Sequence, residues 1–187
     1  MIMAETAEQL LQPGAVGVIP TDTVYGLVAR AADQAAASRL YALKGRIAKP
    51  GTVIAANTHQ LEKLGLKHRY VKAVEQFWPG AVSIVVACNN PTLAYLHLGK
   101  NSLAVRVPND SKLLELLSRT GPLLTTSANP SGQKPAATVD RAKTYFGDKV
   151  DFYVNGGNLS SRQPSTVIRI IDDAVEVLRP GAVKIRE

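Results

Sequence analysis

Two segments of this chain alternate polar and apolar residues with a period of two, and that alternation constrains the fold more than any other feature. In Ser102-Leu-Ala-Val-Arg-Val-Pro108 the pleat puts Ser102, Ala104 and Arg106 on one face, with Leu103, Val105 and Val107 on the other. In the stretch from Pro122 to Asn129, the residues Thr125, Ser127 and Asn129 share a face and run into Pro130-Ser131-Gly132. Ser165, at the start of another strand, repeats the theme. A merely solvated sheet face usually carries Lys, Glu and Thr. Here the set is short hydroxyls, one amide and one arginine, which leaves space above the sheet and offers donors to a carboxylate or phosphate. The pattern predicts a sheet with one face in the core and the other binding an anionic ligand.

The rest of the chain alternates β and α. Ala15–Pro20, Thr52–Ala56, Ala81–Cys88 and Val150–Val154 read as further strands, and Ser165–Ile171 with Val175–Leu178 reads as a hairpin about Asp172-Asp173. Helices are predicted over Gln34–Lys44, capped by Asp33 and stopped by Gly45, and over Thr58–Leu64, Tyr70–Trp78 and Thr138–Phe146. The leucines at 113, 114, 116 and 117 mark another between Asn109 and Thr120. Pro20 to Leu27 reads as a loop at a strand end, with Thr21, Asp22, Thr23 and Tyr25 crowding polar groups around Gly26. Strands interspersed with helices mean α/β or α+β with a large mixed sheet.

With 187 residues, 45% of them apolar and 20% charged, and no linker or repeat, the chain reads as a single domain over residues 1–187. No apolar run approaches the roughly 20 residues of a membrane span, and the opening residues lack the features of a signal peptide. Cys88 is the sole cysteine, so an internal disulfide is excluded and a cytoplasmic location is expected. A formal charge of +7 suits polyanionic company. Lys44, Arg46 and Lys49 follow one another into a Gly/Pro-bounded loop that suits a triphosphate. The common phosphate-loop and dinucleotide fingerprints are missing, and His59, His68 and His97 lack metal-ligand spacing and read as surface or loop residues.

The segments PTDTVYGL (20–27), LKGR (43–46) with Lys49-Pro50, WPGAVSIVV (78–86), SLAVRVPND (102–110), TTSANPSG (125–132), PSTVIRI (164–170) and LRPG (178–181) together resemble the YrdC/Sua5 family of threonylcarbamoyl-adenylate synthases. The resemblance spans nearly the whole chain. It implies an α/β fold whose twisted, largely mixed sheet has flanking helices and a concave ligand-binding face. It implies that Thr23, Arg106, Ser127 and Ser165 contact L-threonine, with Arg106 on its carboxylate. Lys44, Arg46, Lys49, Ser102, Asn129 and Arg179 would lie along ATP, with Lys44, Arg46 and Arg106 the catalytic charges. Bicarbonate would be the third substrate, Mg²⁺ would accompany ATP, and no protein metal cage is implied. The product would serve the t6A modification of tRNA through a downstream threonylcarbamoyl transferase complex, with tRNA itself a candidate partner and no membrane involved.

Two departures from the family pattern stand out. Asp22 occupies a position where many relatives carry glutamate, and Gly51 replaces a larger apolar residue. The chain ends soon after LRPG, as the short YrdC type does. Two alternatives stay open at this point: a non-catalytic basic RNA-binding module, and a related enzyme that forms a different carbamoyl adenylate.

Overall fold

In the computed structural model, which describes residues 2–45, 49–172 and 174–185, nine strands form one sheet. They are β1 (Val16–Pro20), β2 (Tyr25–Arg30), β3 (Thr52–Ile54), β4 (Val82–Ala87), β5 (Ser102–Arg106), β6 (Leu123–Ser127), β7 (Phe152–Tyr153), β8 (Thr166–Ile171) and β9 (Ala174–Arg179). Their order across the sheet is β7-β1-β2-β6-β3-β5-β4-β8-β9. The pairs β1/β7, β3/β5 and β4/β8 are parallel and the other five antiparallel, so the sheet is mixed as expected.

Among the described residues seven α-helices flank it: α1 (Ile2–Leu11), α2 (Gln34–Lys44), α3 (Thr58–Leu64), α4 (His68–Lys72), α5 (Ala94–His97), α6 (Ser111–Thr120) and α7 (Val139–Phe146). The caps follow the sequence. Asp33 accepts the Ala36 N–H and Asp110 that of Leu113, while Gly45 ends α2 at φ 58°, a left-handed conformation that glycine adopts without a Cβ penalty. The expected helix over Tyr70–Trp78 is two pieces: α4, then a 3₁₀ turn at Glu75–Phe77, with Trp78 extended before a cis Trp78-Pro79 bond. The loop expected after β1 is a hairpin, because Tyr25–Arg30 pairs with both β1 and β6.

The two faces of the sheet are covered differently. On one, Val18, Leu27, Leu124, Val53, Val105 and Ile84 join Leu40 of α2, Leu61 of α3, Val71 of α4, Leu96 of α5 and Phe146 of α7 in one core. On the other, Ile19, Val28, Ile54 and Leu123 pack under Ala7 and Leu10 of α1 and Leu113, Leu116 and Leu117 of α6. That second cluster covers only part of its face. Beyond it the directly paired row Thr125–Thr52–Ala104–Val85 carries small side chains and lies open.

Candidate active site

The uncovered part of the sheet floors a cavity of about 570 Å³. Gly26, Thr52, Ser83, Val85, Ser102, Ala104, Arg106, Thr125, Ser127 and Val167 all point there by strand register, so the cavity is a product of period-2 alternation on β2 to β8. Thr21 and Thr23 enter from the β1–β2 turn. Lys49, Lys100 and Arg179 place cationic side chains around it. All three of these cations are exposed residues.

Arg106 dominates the electrostatics. It pairs across the strands with Ile54, a member of the core beneath α6, so its row lies where the helical cover begins. The residue is 3% exposed. A guanidinium so buried needs a partner, and Asp22 supplies it: Nη1 donates to Oδ1 at 2.6 Å and Oδ2 at 2.5 Å. Asp22 also accepts the Asn109 N–H at 3.4 Å. The Arg106 Nε is buried with no hydrogen-bond partner among the described residues.

Hydroxyls are arranged in linked pairs. Thr21 and Thr23 share a hydrogen bond of 3.0 Å, and Thr21 Oγ1 donates to the Val24 carbonyl at 2.7 Å, which tightens the turn. Ser83 and Ser165 lie 2.9 Å apart through their hydroxyls, and Arg179 Nη2 donates to the Ser165 carbonyl at 2.7 Å. Gly181 makes this possible, since a Cβ there would stand 2.3 Å from the Pro164 carbonyl oxygen. Gly51 has a comparable reason: its Cβ would meet the Thr125 carbonyl oxygen at 2.7 Å, so only glycine brings the Lys49-Pro50 segment this close to β6.

Of the residues expected from sequence, Thr23, Lys49, Ser102, Arg106, Ser127, Ser165 and Arg179 line the one cavity. Lys44 and Asn129 stand just behind it. Lys44, 1% exposed, donates from Nζ to the carbonyls of Ser127 (2.8 Å) and Asn129 (2.5 Å) and to Asn129 Oδ1 (3.1 Å). Asn129 in turn donates from Nδ2 to the Pro130 and Gln133 carbonyls, so the pair braces the end of β6. Strand β6 stops at Ser127, and Asn129 therefore leaves the face it was expected to share. Arg46 lies outside the described residues. His97 is a correction: it is buried at 4%, with Nδ1 accepting from the Asn101 N–H at 3.4 Å, because Leu96 beside it in α5 belongs to the core. Ser83 and Lys100 line the cavity without having been singled out. A lone hydroxyl in phase with Val85, inside an otherwise apolar strand, is the signal that marks Ser83.

A family model described as telomere recombination, for the Sua5/YciO/YrdC domain, matches residues 9–181. The chain belongs to the Sua5/YciO/YrdC family. Within it, the chain is 35% identical over 184 residues to a putative threonylcarbamoyl-AMP synthase of Mycobacterium leprae, an alignment covering 96% of this chain and 83% of that one. It is 34% identical over 181 residues to the threonylcarbamoyl-AMP synthase of Pseudomonas aeruginosa, covering 95% and 97%. The Sua5 structure of P. abyssi complexed with L-threonine superposes with a TM-score of 0.82 at 29% identity. That match covers 96% of this chain and 54% of the Sua5 chain, so this member spans about half of that longer protein. YciO of E. coli, 22% identical over 98% of this chain and 90% of its own, shares the fold with a TM-score of 0.82.

Proposed function

We propose that this chain is a threonylcarbamoyl-AMP synthase that joins L-threonine, bicarbonate and ATP and releases pyrophosphate, in the service of t6A formation on tRNA. The observation that carries the reading is the buried Arg106 in a hydroxyl-lined cavity ringed by cations. Curated relatives of this name, aligned over nearly the full chain, support it.

The chemistry asks for positioning and charge stabilisation. The threonine amine captures bicarbonate-derived carbon dioxide to give an N-carboxylate, which attacks the α-phosphorus of ATP as pyrophosphate leaves. The α-carboxylate of threonine lies on Arg106, and Thr23, Ser127 and Ser165 surround the rest of the amino acid. Lys49, Lys100 and Arg179 stabilise the triphosphate as charge moves to pyrophosphate, with Ser102 alongside. Arg46, three residues before Lys49 in the sequence, joins them by family resemblance. Lys44 contributes by holding the Ser127–Asn129 backbone in place. A covalent protein intermediate is not required.

Magnesium enters as part of the substrate MgATP. Among the described residues the lining includes no carboxylate, and no group of three or more His, Cys, Asp or Glu could hold a metal ion. Phosphate oxygens and water would hold the magnesium, which would help to neutralise charge on the phosphates. No helix among the described residues is long and apolar enough to cross a membrane, and we place the reaction in the cytoplasm. The labile adenylate passes to a threonylcarbamoyl transferase complex acting on tRNA.

Calorimetric titration with L-threonine and with MgATP tests the ligand assignment. Wild type is expected to bind both, and Arg106→Ala to lose threonine while keeping MgATP. Equal threonine binding by the two proteins would move the amino acid away from Arg106.

A further inference from the structure

Arginine usually meets a carboxylate through two parallel N–H donors. Arg169 shows the side edge in use, with Nε and Nη2 both donating to Glu176 Oε2, at 3.0 and 2.6 Å. Arg106 is held differently. Both oxygens of Asp22 sit on Nη1 alone, and the side edge is left over: Nε is buried and lacks a partner among the described residues. Asp22 is itself fixed. Its turn is closed by Thr21 Oγ1 on the Val24 carbonyl and by the Thr23 N–H on Thr21 Oγ1 at 3.1 Å, and Arg162 Nη1 clamps the Thr21 carbonyl at 2.9 Å.

We propose that Asp22 is a positioning residue: it grips Arg106 by Nη1 and so holds the guanidinium in place at the cavity wall for the α-carboxylate of threonine. This rests on the functional reading above and deepens it. Asp22 is not free to serve as the base for the threonine amine, since both its oxygens are engaged by Arg106 and one also by Asn109. The arrangement is not a charge optimum, because the substrate becomes a second anion on one cation. Removing the Asp22 charge therefore has two opposed effects. The field would attract the carboxylate more strongly, while the guanidinium would lose its hydrogen-bond partner among the described residues. Position wins here: Asp22 is the sole hydrogen-bond partner of the Arg106 guanidinium among the described residues. The same turn carries Thr23 into the cavity, so Asp22 also sets the spacing between Thr23 and Arg106.

The test compares wild type, Asp22→Asn and Asp22→Glu for equilibrium binding of L-threonine, of L-threoninamide (which lacks the carboxylate) and of MgATP, with thermal melts to establish folding. The proposal expects Asp22→Asn to weaken threonine roughly tenfold, with threoninamide and MgATP unchanged within about twofold. Asp22→Glu should recover part of the loss. Threonine binding by Asp22→Asn as tight as wild type, or tighter, overturns it. So does unchanged threonine affinity with turnover lost at saturating threonine, which would make Asp22 the base. Should Asp22→Asn fail to fold, Asp22→Glu decides: a reduced preference for threonine over threoninamide supports the proposal, and an unchanged preference overturns it. Failure of wild type to bind threonine would strike the functional reading itself and is distinguished by that control.

Discussion

Arg106 and Lys44 are both buried cations, but they are buried for different work. Arg106 lines the cavity and leaves its buried Nε without a partner among the described residues, whereas Lys44 has carbonyl and amide acceptors around its ammonium. Arg106→Ala should therefore raise the threonine KM and lower kcat/KM by roughly 10- to 100-fold, the worth of a charge-assisted hydrogen-bonded contact, with the ATP KM little changed in steady-state assays. Lys44→Ala should impair ATP-dependent turnover and also destabilise the fold by about 1–3 kcal/mol in urea unfolding, because buried carbonyls lose their donor. An Arg106-like effect without a stability loss would contradict the bracing role. The alternation in 102–108 and 122–129 makes Ser102, Arg106 and Ser127 legible from sequence alone. Asp22 as the partner of Arg106 is not legible there, since 84 residues separate them and only the register of β1, β2, β6, β3 and β5 brings them together.

At the scale of elements, short-range chemistry is the easiest to read. Helix α2 begins after Asp33 and ends before Gly45 as its caps dictate, and α3 and α6 follow suit. Strand β2 is hidden because its residues are apolar on both faces and adjoin a polar turn, so neither period shows. Helix α1 escapes because its burial depends on α6, which is distant in sequence. Two carboxylates tie the start of β1 to its neighbours. Asp33 accepts the Gly14 N–H at 2.7 Å, and Asp151 accepts the Val16 N–H at 2.8 Å while paired to Arg39 at 2.6 Å. Burial would raise both pKa values, but backbone donors at Asp33, and Arg39 with the Val16 N–H at Asp151, outweigh it and hold both below the ordinary carboxylate value. A lowered folded-state pKa contributes stability above the unfolded value, near 4, and that contribution disappears as pH falls through the folded value. Melting temperature should thus fall below about pH 4, and Asp151→Asn should flatten that acid limb. Asp33→Ala should cost about 1–2 kcal/mol at neutral pH through loss of the α2 cap, measured by urea unfolding.

The whole molecule divides one sheet face between a helical cover and an open floor, and that division makes the cavity. Its charges divide in the same way. Arg106 is enclosed, while Lys49, Lys100 and Arg179 are exposed to solvent. Salt screens exposed charges far more than enclosed ones. Raising ionic strength from about 0.05 M to about 0.5 M should therefore raise the ATP KM several-fold and move the threonine KM much less. Comparable shifts in both would place threonine among the exposed cations. The decisive measurement is to incubate the protein with MgATP, bicarbonate and L-threonine, omit each in turn, and follow pyrophosphate and the adenylate by mass spectrometry. Threonylcarbamoyl-AMP with stoichiometric pyrophosphate is expected only when all components are present. Absence of the adenylate from the complete mixture, in a protein that still binds RNA through this face, would contradict the synthase assignment.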